Sequence, residues 1–232
     1  MKSFSEIAAN ISAAINSVWE RRDIGYVPEP EDIKLGANAS AGFEGCVLYA
    51  DIKRSTDLVN EYKDSFTASV YKSFLVAVCD VIMNNQGQIT SFDGDRVMAI
   101  FSGNSKCTSA VKCALQTRFV VNKINDALVV KYPATKYRVD YAVGVDVSEL
   151  LAIRTGIRKY NDIAWIGSAA NIAAKLSEIR GRRGNAFITS RVYERMADIA
   201  KFGGKDNKNM WGNTGLVISG QPIYGSDWLW RF

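Results

Sequence analysis

Two aspartates around one glycine, Asp93-Gly94-Asp95, separate the short apolar-alternating runs "QITSFD" and "RVMAIF". A D-G pair between such runs predicts a β-hairpin with the carboxylates at its tip. A further carboxylate, Asp51, lies near the end of the apolar run "CVLYADI" (46–52), which predicts a buried strand. Asp51 and Asp95 could therefore converge on one divalent cation. A tight turn at 93–95 and a helix cap at Asp51 are the simpler alternatives.

The chemistry open to these carboxylates is limited by what the chain lacks. The 232 residues include no histidine, which excludes Ser-His-Asp and Cys-His catalysis and every metal site that needs an imidazole. The four cysteines form no C-x-x-C pair, so a zinc framework is not expected and we interpret them as reduced, buried thiols. Any metal is predicted to bind through oxygen, which indicates magnesium, manganese or calcium.

The segment after Asp51 suits an anion. "KRST", Lys53 to Thr56, opens a predicted helix with Ser55 or Thr56 as its N-cap, and helix N-termini offer backbone N–H groups to phosphate. The net charge of +5 is a modest bias that fits a nucleotide as well as a nucleic acid. A nucleic-acid-binding module would need a contiguous basic and aromatic surface, which the sequence does not show.

The order of predicted elements is mixed and indicates one α+β sandwich rather than a doubly wound parallel sheet. The predicted helices cover 1–22, 55–58, 64–85, 105–128, 168–180 and 190–196. The predicted strands cover 46–52, 88–93, 96–101, 137–147, 149–155, 162–167, 185–190, 216–219 and 227–232. We divide the chain into an N-terminal helix and linker (1–43, the linker running over 23–44), a catalytic domain (44–200) and a C-terminal extension that completes it (201–232). No apolar run reaches eighteen residues and the N-terminus lacks a signal-peptide core, so a cytoplasmic protein without a membrane span is expected.

Three segments together resemble the class III nucleotidyl cyclase catalytic domain. "VLYADIKRSTDL" is similar to the family's F-x-D-I-x-x-[FS]-T segment, "GQITSFDGDRVMAIF" to its metal-binding hairpin, and "WIGSAANIAAKL" to the start of its x-x-G-x-x-V-N-x-A-x-R-L helix. They occur in the family's order and cover roughly 44–200.

The resemblance implies a ferredoxin-like α+β fold that works as a head-to-tail homodimer. It implies that Asp51 and Asp95, with the backbone carbonyl of Ile52, bind two Mg²⁺ or Mn²⁺ ions per active site. The partner chain would supply Asn171, which orients the ribose, and Lys175, which stands where the family usually has an arginine for the transition-state charge. The implied reaction is attack of the ribose 3′-oxygen on the α-phosphate with release of pyrophosphate.

The positions that select the base depart from the family's adenylate and guanylate cyclases. They are occupied by Ser91 and Ala164, which cannot make the expected contacts. Strand alternation predicts that Ser91, Asp93 and Asp95 share a face and that Arg96 points away from it. Tyr49, two residues before Asp51, is predicted to close a small pocket together with Asp93.

This pattern resembles the pyrimidine cyclases of bacterial Pycsar antiphage systems. We therefore expect an enzyme that cyclises UTP, or in second place CTP, in antiphage defence. An atypical adenylate cyclase and an inactive cyclase-like domain that binds a nucleotide or a partner protein are the alternatives. The role of the N-terminal helix and the residue of 201–209 that contacts the triphosphate stay open.

Overall fold

A computed structural model describes residues 3–34, 38–157 and 160–232, without the side chains of 157, 160 and 161. Met1, Lys2 and 35–37 of the predicted N-terminal helix and linker lie outside this range. The helices are α1 (Phe4–Asn16), α2 (Ser55–Glu61), α3 (Asp64–Asn84), α4 (Lys106–Lys131), α5 (Ser168–Ser177), α6 (Ser190–Arg195) and α7 (Asp198–Lys201). The strands are β1 (Glu20–Asp23), β2 (Ala39–Ile52), β3 (Gln88–Asp93), β4 (Arg96–Phe101), β5 (Tyr141–Ile157), β6 (Tyr160–Ile166), β7 (Ala186–Thr189), β8 (Phe202–Gly203), β9 (Lys208–Asn209), β10 (Gly212–Ile218) and β11 (Gln221–Ser226). A 3₁₀ turn covers Pro30–Asp32.

Nine strands of the described residues form one mixed sheet. Its main order is β10-β11-β7-β5-β2-β4-β3, with β1 parallel to the start of β2 and β6 antiparallel to the second half of β5. β7 runs parallel to β5, whereas β4 and β5 flank β2 in antiparallel pairing. The predicted mixed α+β sandwich is confirmed. The structure is of a single chain, so the homodimer stays a prediction.

The two faces of β2 serve two different cores. Leu48 and Ala50 belong to the large core that α3 and α4 close over one face of the sheet. Val47 and the half-buried Tyr49 face a smaller core with α5 on the opposite side. This double burial explains why "CVLYADI" is apolar at nearly every position, since a strand covered on both faces has no solvent side.

Helix α3 is apolar because it packs on the sheet. By length and composition alone it is also long and apolar enough to cross a membrane. Its buried side chains recur at helical spacing on the side that faces the core: Phe66, Val70, Phe74, Val78, Val81 and Ile82. Core packing accounts for this apolar pattern.

Several predicted boundaries are wrong. Residues 39–44, predicted as linker from Pro28, Pro30, Gly36 and Gly42, are the start of β2. Of these, 39–42 pair with β1 and 40–44 pair with β5. A β-carbon at Gly42 would meet the guanidinium of Arg21 in β1, which is the end of a flexible side chain. The predicted strands 137–147 and 149–155 are one continuous strand, β5, which begins only at Tyr141. Its pairing with β2 continues without a break to Ile153, and its second half also pairs with β6. Residues 227–232 form no strand, and β11 lies at 221–226 instead.

A glycine in β5 sets how closely α5 approaches the sheet. Gly144 pairs with Tyr49, and a β-carbon at Gly144 would meet the Ala173 carbonyl oxygen and lie 2.5 Å from Leu176 Cβ. Helix α5 therefore rests directly on this backbone.

Gly144→Ala is predicted to lower the free energy of unfolding by about 1–3 kcal/mol, because α5 has to move away from the sheet. Urea denaturation followed by circular dichroism measures this. The control is Gly212→Ala, where a β-carbon meets nothing within 4 Å and the expected change is within about 0.5 kcal/mol. Equal effects of the two substitutions would contradict the close approach.

Candidate active site

Asp51 lies at the end of β2 and is only 6% exposed. Its Oδ2 is 3.4 Å from Arg96 Nη2 and 3.6 Å from Arg180 Nη2, and Arg96 Nη2 also lies 3.0 Å from Glu178 Oε1. Burial raises the pKa of the Asp51 carboxyl above its usual value, an effect that Arg96 opposes and the neighbouring Asp95 reinforces. A carboxylate is thus kept next to a second carboxylate, with arginines as counter-charges.

Asp95 belongs to the two-residue turn between β3 and β4. The pair Asp93↔Arg96 closes the hairpin, and Gly94 has a φ of +61°, the sign that a type II′ turn requires at its first central position. Asp95 Oδ2 is buried and has no hydrogen-bond partner among the described residues. A buried acceptor without a partner is costly, so this atom indicates an absent ligand.

Two tyrosines lie close to Asp95 on the side of the large core. Burial is the main reason why the pKa values of Tyr71 and Tyr137 are raised, in Tyr137 to about 12. Asp95 is near enough to both side chains to contribute to the rise. The Tyr137 hydroxyl, like Asp95 Oδ2, is buried without a partner in the described part of the chain. The pocket around Asp95 is therefore polar but incompletely bonded.

These residues fit a divalent cation of the magnesium type. The donors are carboxylate oxygens of Asp51 and Asp95, one of them unpartnered, and the carbonyl of Ile52 follows Asp51 directly. The described residues contain no group of three or more His, Cys, Asp or Glu side chains that could hold a metal. A magnesium ion with few protein ligands takes its other oxygens from water and substrate phosphates.

Arg96 lies on the Tyr49 side of the sheet, and the prediction that it points away from the site is wrong. Besides its contact with Asp51, its Cζ lies 6.0 Å from the centre of the Tyr49 ring. The prediction carried strand alternation through the hairpin tip. Gly94 and Asp95 form the turn itself, so alternation stops at Asp93 and restarts at Arg96, which pairs with Asp93 on the same face.

The segment after Asp51 differs in detail from its prediction. The N-cap of α2 is Arg54, in the left-handed conformation with a φ of 56°, so Ser55 and Thr56 are the first helical residues and the predicted N-cap is wrong. Ser55 makes a side-chain hydrogen bond with Tyr71, next to Asp95.

Lys53 is engaged through both its backbone and its side chain. Its N–H donates to the Asp140 carbonyl at 2.8 Å, and its Nζ lies 3.3 Å from Asp140 Oδ1. A cavity of about 410 Å³ opens beside it. The charged side chains around this cavity are four basic ones, Lys53, Arg54, Lys136 and Arg138, and three acidic ones, Asp57, Glu61 and Asp140.

The predicted base-recognition residues fall into two groups. Tyr49, Met98 and Ser91 are paired side by side across β2, β4 and β3, and the exposed Asp93 is close enough to act on the pKa of Tyr49. Ala164 is elsewhere. Its neighbour Trp165 packs with Tyr49 against the core under α5, and alternation turns Ala164 to the opposite face. The structure does not bring Ala164 to the Tyr49 side within one chain.

Asn171 and Lys175 are exposed, one turn apart on the outer face of α5. The start of this helix is fixed by a buried ion pair. Asp146 of β5 is fully buried and accepts two bonds from Arg191 of α6, the first from Nε at 2.7 Å, and a third from the Thr189 hydroxyl at 2.6 Å.

Arg191 also connects this pair to α5. Its Nη2 lies 3.0 Å from the hydroxyl of Ser168, the first residue of the helix. The next amide, Ala169 N, donates to the Ser148 hydroxyl of β5 at 3.0 Å. The position of Asn171 along the sheet therefore depends on Arg191 and Ser148.

Sequence reasoning missed the residues that surround Asp51 and Asp95. Arg180 and Glu178 follow α5, and Tyr71 and Tyr137 come from α3 and the segment before β5. Arg96 could have been placed from the two-residue turn. The others carry no local signal, because they reach the site only through the packing of distant elements.

The geometry can be compared with known proteins. The chain is 42% identical over 213 residues to a uridylate cyclase of Burkholderia cepacia, with 91% of each chain covered. It is 36% identical over 221 residues to a uridylate cyclase of Xanthomonas perforans, with 93% of each covered. The chain belongs to the uridylate cyclase family. A third family member, from a Rhodovulum strain, is 33% identical over 210 residues. No protein-family model matches the chain.

Solved structures place this family member in the class III cyclase fold. An adenylyl cyclase from P. aeruginosa superimposes with a TM-score of 0.67 and 18% identity, covering 81% of this chain and 95% of that one. A guanylyl cyclase superimposes with a TM-score of 0.67 and 17% identity, covering 82% of this chain and 94% of that one. These resemblances support the fold that the three sequence segments predicted.

Arg191→Met is predicted to lower the free energy of unfolding by about 3–5 kcal/mol, because it leaves the buried Asp146 without its counter-charge. Chemical denaturation measures the loss. Arg195→Met on the same helix is the control, since Arg195 pairs with Glu44 at the surface and such pairs contribute about 0–1 kcal/mol. Similar losses in both variants would contradict the role given to Asp146.

Proposed function

We propose that the chain is a pyrimidine nucleotide cyclase that converts UTP, and less readily CTP, to the 3′,5′-cyclic monophosphate and pyrophosphate. It acts as a head-to-tail homodimer in the bacterial cytoplasm, and its product serves as a messenger in antiphage defence. The observation that carries the proposal is the buried, unpartnered Asp95 oxygen beside Asp51, in a member of the uridylate cyclase family.

In the reaction the ribose 3′-oxygen attacks the α-phosphorus. A new O–P bond forms, the bond from the α-phosphorus to the bridging oxygen breaks, pyrophosphate leaves and the hydroxyl proton is released. Asp51, Asp95 and the Ile52 carbonyl would hold two Mg²⁺ or Mn²⁺ ions, whose charge would lower the pKa of the 3′-hydroxyl and neutralise the triphosphate. With no histidine in the chain, catalysis depends on position and charge rather than on an imidazole base.

The triphosphate lies along the segment from Lys53 to Thr56. Arg54 and Thr56 are exposed there, and the cavity beside Lys53 has a small excess of positive charge, with four basic against three acidic side chains. The Lys53 backbone N–H already donates to Asp140, so Lys53 contributes through its charge rather than through that amide.

The second copy supplies Asn171 and Lys175. Both side chains are exposed on α5, where an approaching chain can reach them. Asn171 orients the ribose, and Lys175 stabilises the charge that develops on the α-phosphate. Lysine retains the positive charge of the usual arginine but cannot form its bidentate hydrogen bonds. This substitution affects the rate more than the type of reaction.

The base lies against Tyr49 on the face that also carries Ser91, Asp93 and Arg96. Tyr49 limits the depth of the pocket, which favours a single ring over a purine. The Asp93 carboxylate accepts a hydrogen bond from a base N–H, and the Arg96 guanidinium donates to base carbonyl oxygens. Uracil offers one ring N–H and two carbonyl oxygens, which agrees with a preference for UTP. Ala164 leaves space rather than making a contact.

Purified protein is incubated with Mn²⁺ and ATP, GTP, CTP or UTP in separate reactions, and the products are detected by chromatography and mass spectrometry. The main product over the four reactions is predicted to be cyclic UMP, formed from UTP. Asp95→Asn should lower the rate by roughly a thousandfold or more, because the ions lose a ligand. Asp80→Asn, which changes an exposed carboxylate on α3, is the control. Cyclic AMP as the main product would refute the base pocket, and no cyclic product would favour an inactive nucleotide-binding domain.

Asp93→Ala is predicted to change the selection of the base more strongly than the binding of metal. The preference for UTP over CTP should fall by roughly ten- to a hundredfold through the loss of one hydrogen bond to a charged group. Competition between the two nucleotides measures the preference, and a Mn²⁺ titration should match that of the wild type. A lower affinity for Mn²⁺ with unchanged base preference would assign Asp93 to the metal site instead.

A mixture of the inactive variants Asp95→Asn and Asn171→Ala is predicted to regain activity. Random exchange makes half of the dimers mixed, each with one intact site, so about a quarter of the wild-type activity is expected. Each variant mixed with itself is the control. A mixture that stays inactive after exchange would contradict active sites shared between two chains.

A further inference from the structure

The guanidinium of Arg180 is held at the end of α5 with one nitrogen turned toward the carboxylate of Asp51. Its Nη1 donates to the carbonyl oxygens of Ser177 at 2.9 Å and Ile179 at 3.3 Å. The last carbonyl groups of a helix have no partner within the helix and attract cations. The other nitrogen, Nη2, lies 3.6 Å from Asp51 Oδ2, and the side chain is 40% exposed. The end of α5 therefore fixes the direction in which Nη2 points.

The Nη2 of Arg180 makes no hydrogen bond to any described residue. A separation of 3.6 Å from Asp51 Oδ2 is beyond the usual length of an N–H···O bond, so this contact is an ion pair only. Arg96 differs, because its Nη2 donates to Asp51 Oδ2 at 3.4 Å and to Glu178 Oε1 at 3.0 Å. The two arginines share one carboxylate, and within the described part of the chain only Arg96 has a second carboxylate as well.

A cation at the candidate metal site would affect the two arginines differently. Such a cation occupies the oxygens of Asp51, and Arg96 then keeps its bond to Glu178. Arg180 Nη2 loses its counter-charge and is left facing a cation. Two positive charges at this distance repel each other unless an anion lies between them. The geometry therefore calls for an anionic acceptor that arrives together with the cation.

We infer that Arg180 is a ligand of the substrate's triphosphate and serves the site of its own chain. A nucleoside triphosphate is an anion that brings its cation with it. Its phosphate oxygens can accept from Nη2 while Nη1 stays on the carbonyl of Ser177. A guanidinium suits this role, since it is always charged and its planar set of donors matches phosphate oxygens. The inference rests on the proposed function, because the triphosphate is that of its substrate.

Arg180 supplies part of what the site loses by having Lys175 in place of the usual arginine. Lys175 lies five residues earlier on the same helix, and the proposed function assigns it to the site of the partner chain. Arg180 instead lies beside the Asp51 of its own chain. Each site thus receives an ammonium group from one chain and a guanidinium group from the other.

The first test measures binding of 3′-deoxy-UTP in the presence of Mn²⁺ by titration calorimetry. This nucleotide lacks the attacking hydroxyl and binds without turnover. Arg180→Met should weaken its binding by roughly ten- to a hundredfold through the loss of one charge-assisted hydrogen bond. Binding of 3′-deoxy-CTP should weaken by the same factor, because the contact is with phosphate and not with the base. The control is Arg182→Met, which should bind like the wild type, since its exposed side chain forms no ion pair with the described residues.

Mn²⁺ alone should show the opposite change. Without nucleotide, Arg180→Met is expected to bind Mn²⁺ about two- to fivefold more tightly than the wild type, because Asp51 loses a competing counter-charge. Electron paramagnetic resonance of free Mn²⁺ measures this. General damage to the fold would lower both affinities. Arg180→Lys keeps a positive charge beside Asp51 and should fold like the wild type. It should still bind 3′-deoxy-UTP several-fold more weakly, because an ammonium group lacks the fixed plane of donors.

Mixtures of variants show which chain's site Arg180 serves. Arg180→Met mixed with Asn171→Ala should regain activity above that of either alone, because one site of the mixed dimer keeps Asp51, Arg180 and Asn171 intact. Arg180→Met mixed with Asp95→Asn should not, because each site then carries one of the two changes. Recovery only in the second mixture would assign Arg180 to the site of the other chain and overturn the inference.

The binding data separate the inference from the proposed function. Unchanged affinity for 3′-deoxy-UTP in both Arg180 variants, or an equal loss in Arg182→Met, would overturn the inference and leave Arg180 as a counter-charge of Asp51 alone. If the wild type cyclises UTP while Arg180→Met keeps full affinity, the inference fails by itself. If the wild type makes no cyclic nucleotide but binds 3′-deoxy-UTP through Arg180, the proposed function fails and the triphosphate contact stands.

Discussion

The pairing of β2 with β5 is the constraint on which the site depends. The two strands stay in register over thirteen pairs, from Ser40↔Ile153 to Ile52↔Tyr141. β2 delivers Asp51 at one end of this ladder, and β5 provides the surface on which α5 rests at Gly144. A slip of one residue would turn Leu48 and Ala50 out of the large core, so burial on both faces fixes the register and with it the site.

The fold could be predicted in outline because the signals were local. The four-residue spacing in α3, the D-G turn and the Gly167 start of α5 each depend on residues close in sequence. The boundaries that failed depend on distant partners. Gly42 is typical of a linker, yet it pairs with both β1 and β5. The strand β5 continues past residue 148 because first β2 and then β6 pair with it.

The same distinction separates the predicted site residues from those that were missed. Asp51 and Asp95 were recognised from strand ends and motif spacing, and the structure brings them together. Arg180 reaches Asp51 and Glu178 reaches Arg96 because α5 crosses the sheet over Gly144, a contact that no spacing in the sequence records. The error at Arg96 had a physical origin in the turn, which uses two residues and resets the alternation.

The arginines around Asp51 have a consequence for how the protein exists without metal. With Arg96 and Arg180 beside it, Asp51 is not an isolated buried charge, and the free energy of folding does not depend on a bound cation to compensate it. An ion that binds there competes with two guanidinium groups and therefore gains less free energy than at a bare carboxylate. A divalent cation held by these residues would accordingly bind reversibly, whereas in a zinc finger the metal is part of the fold itself.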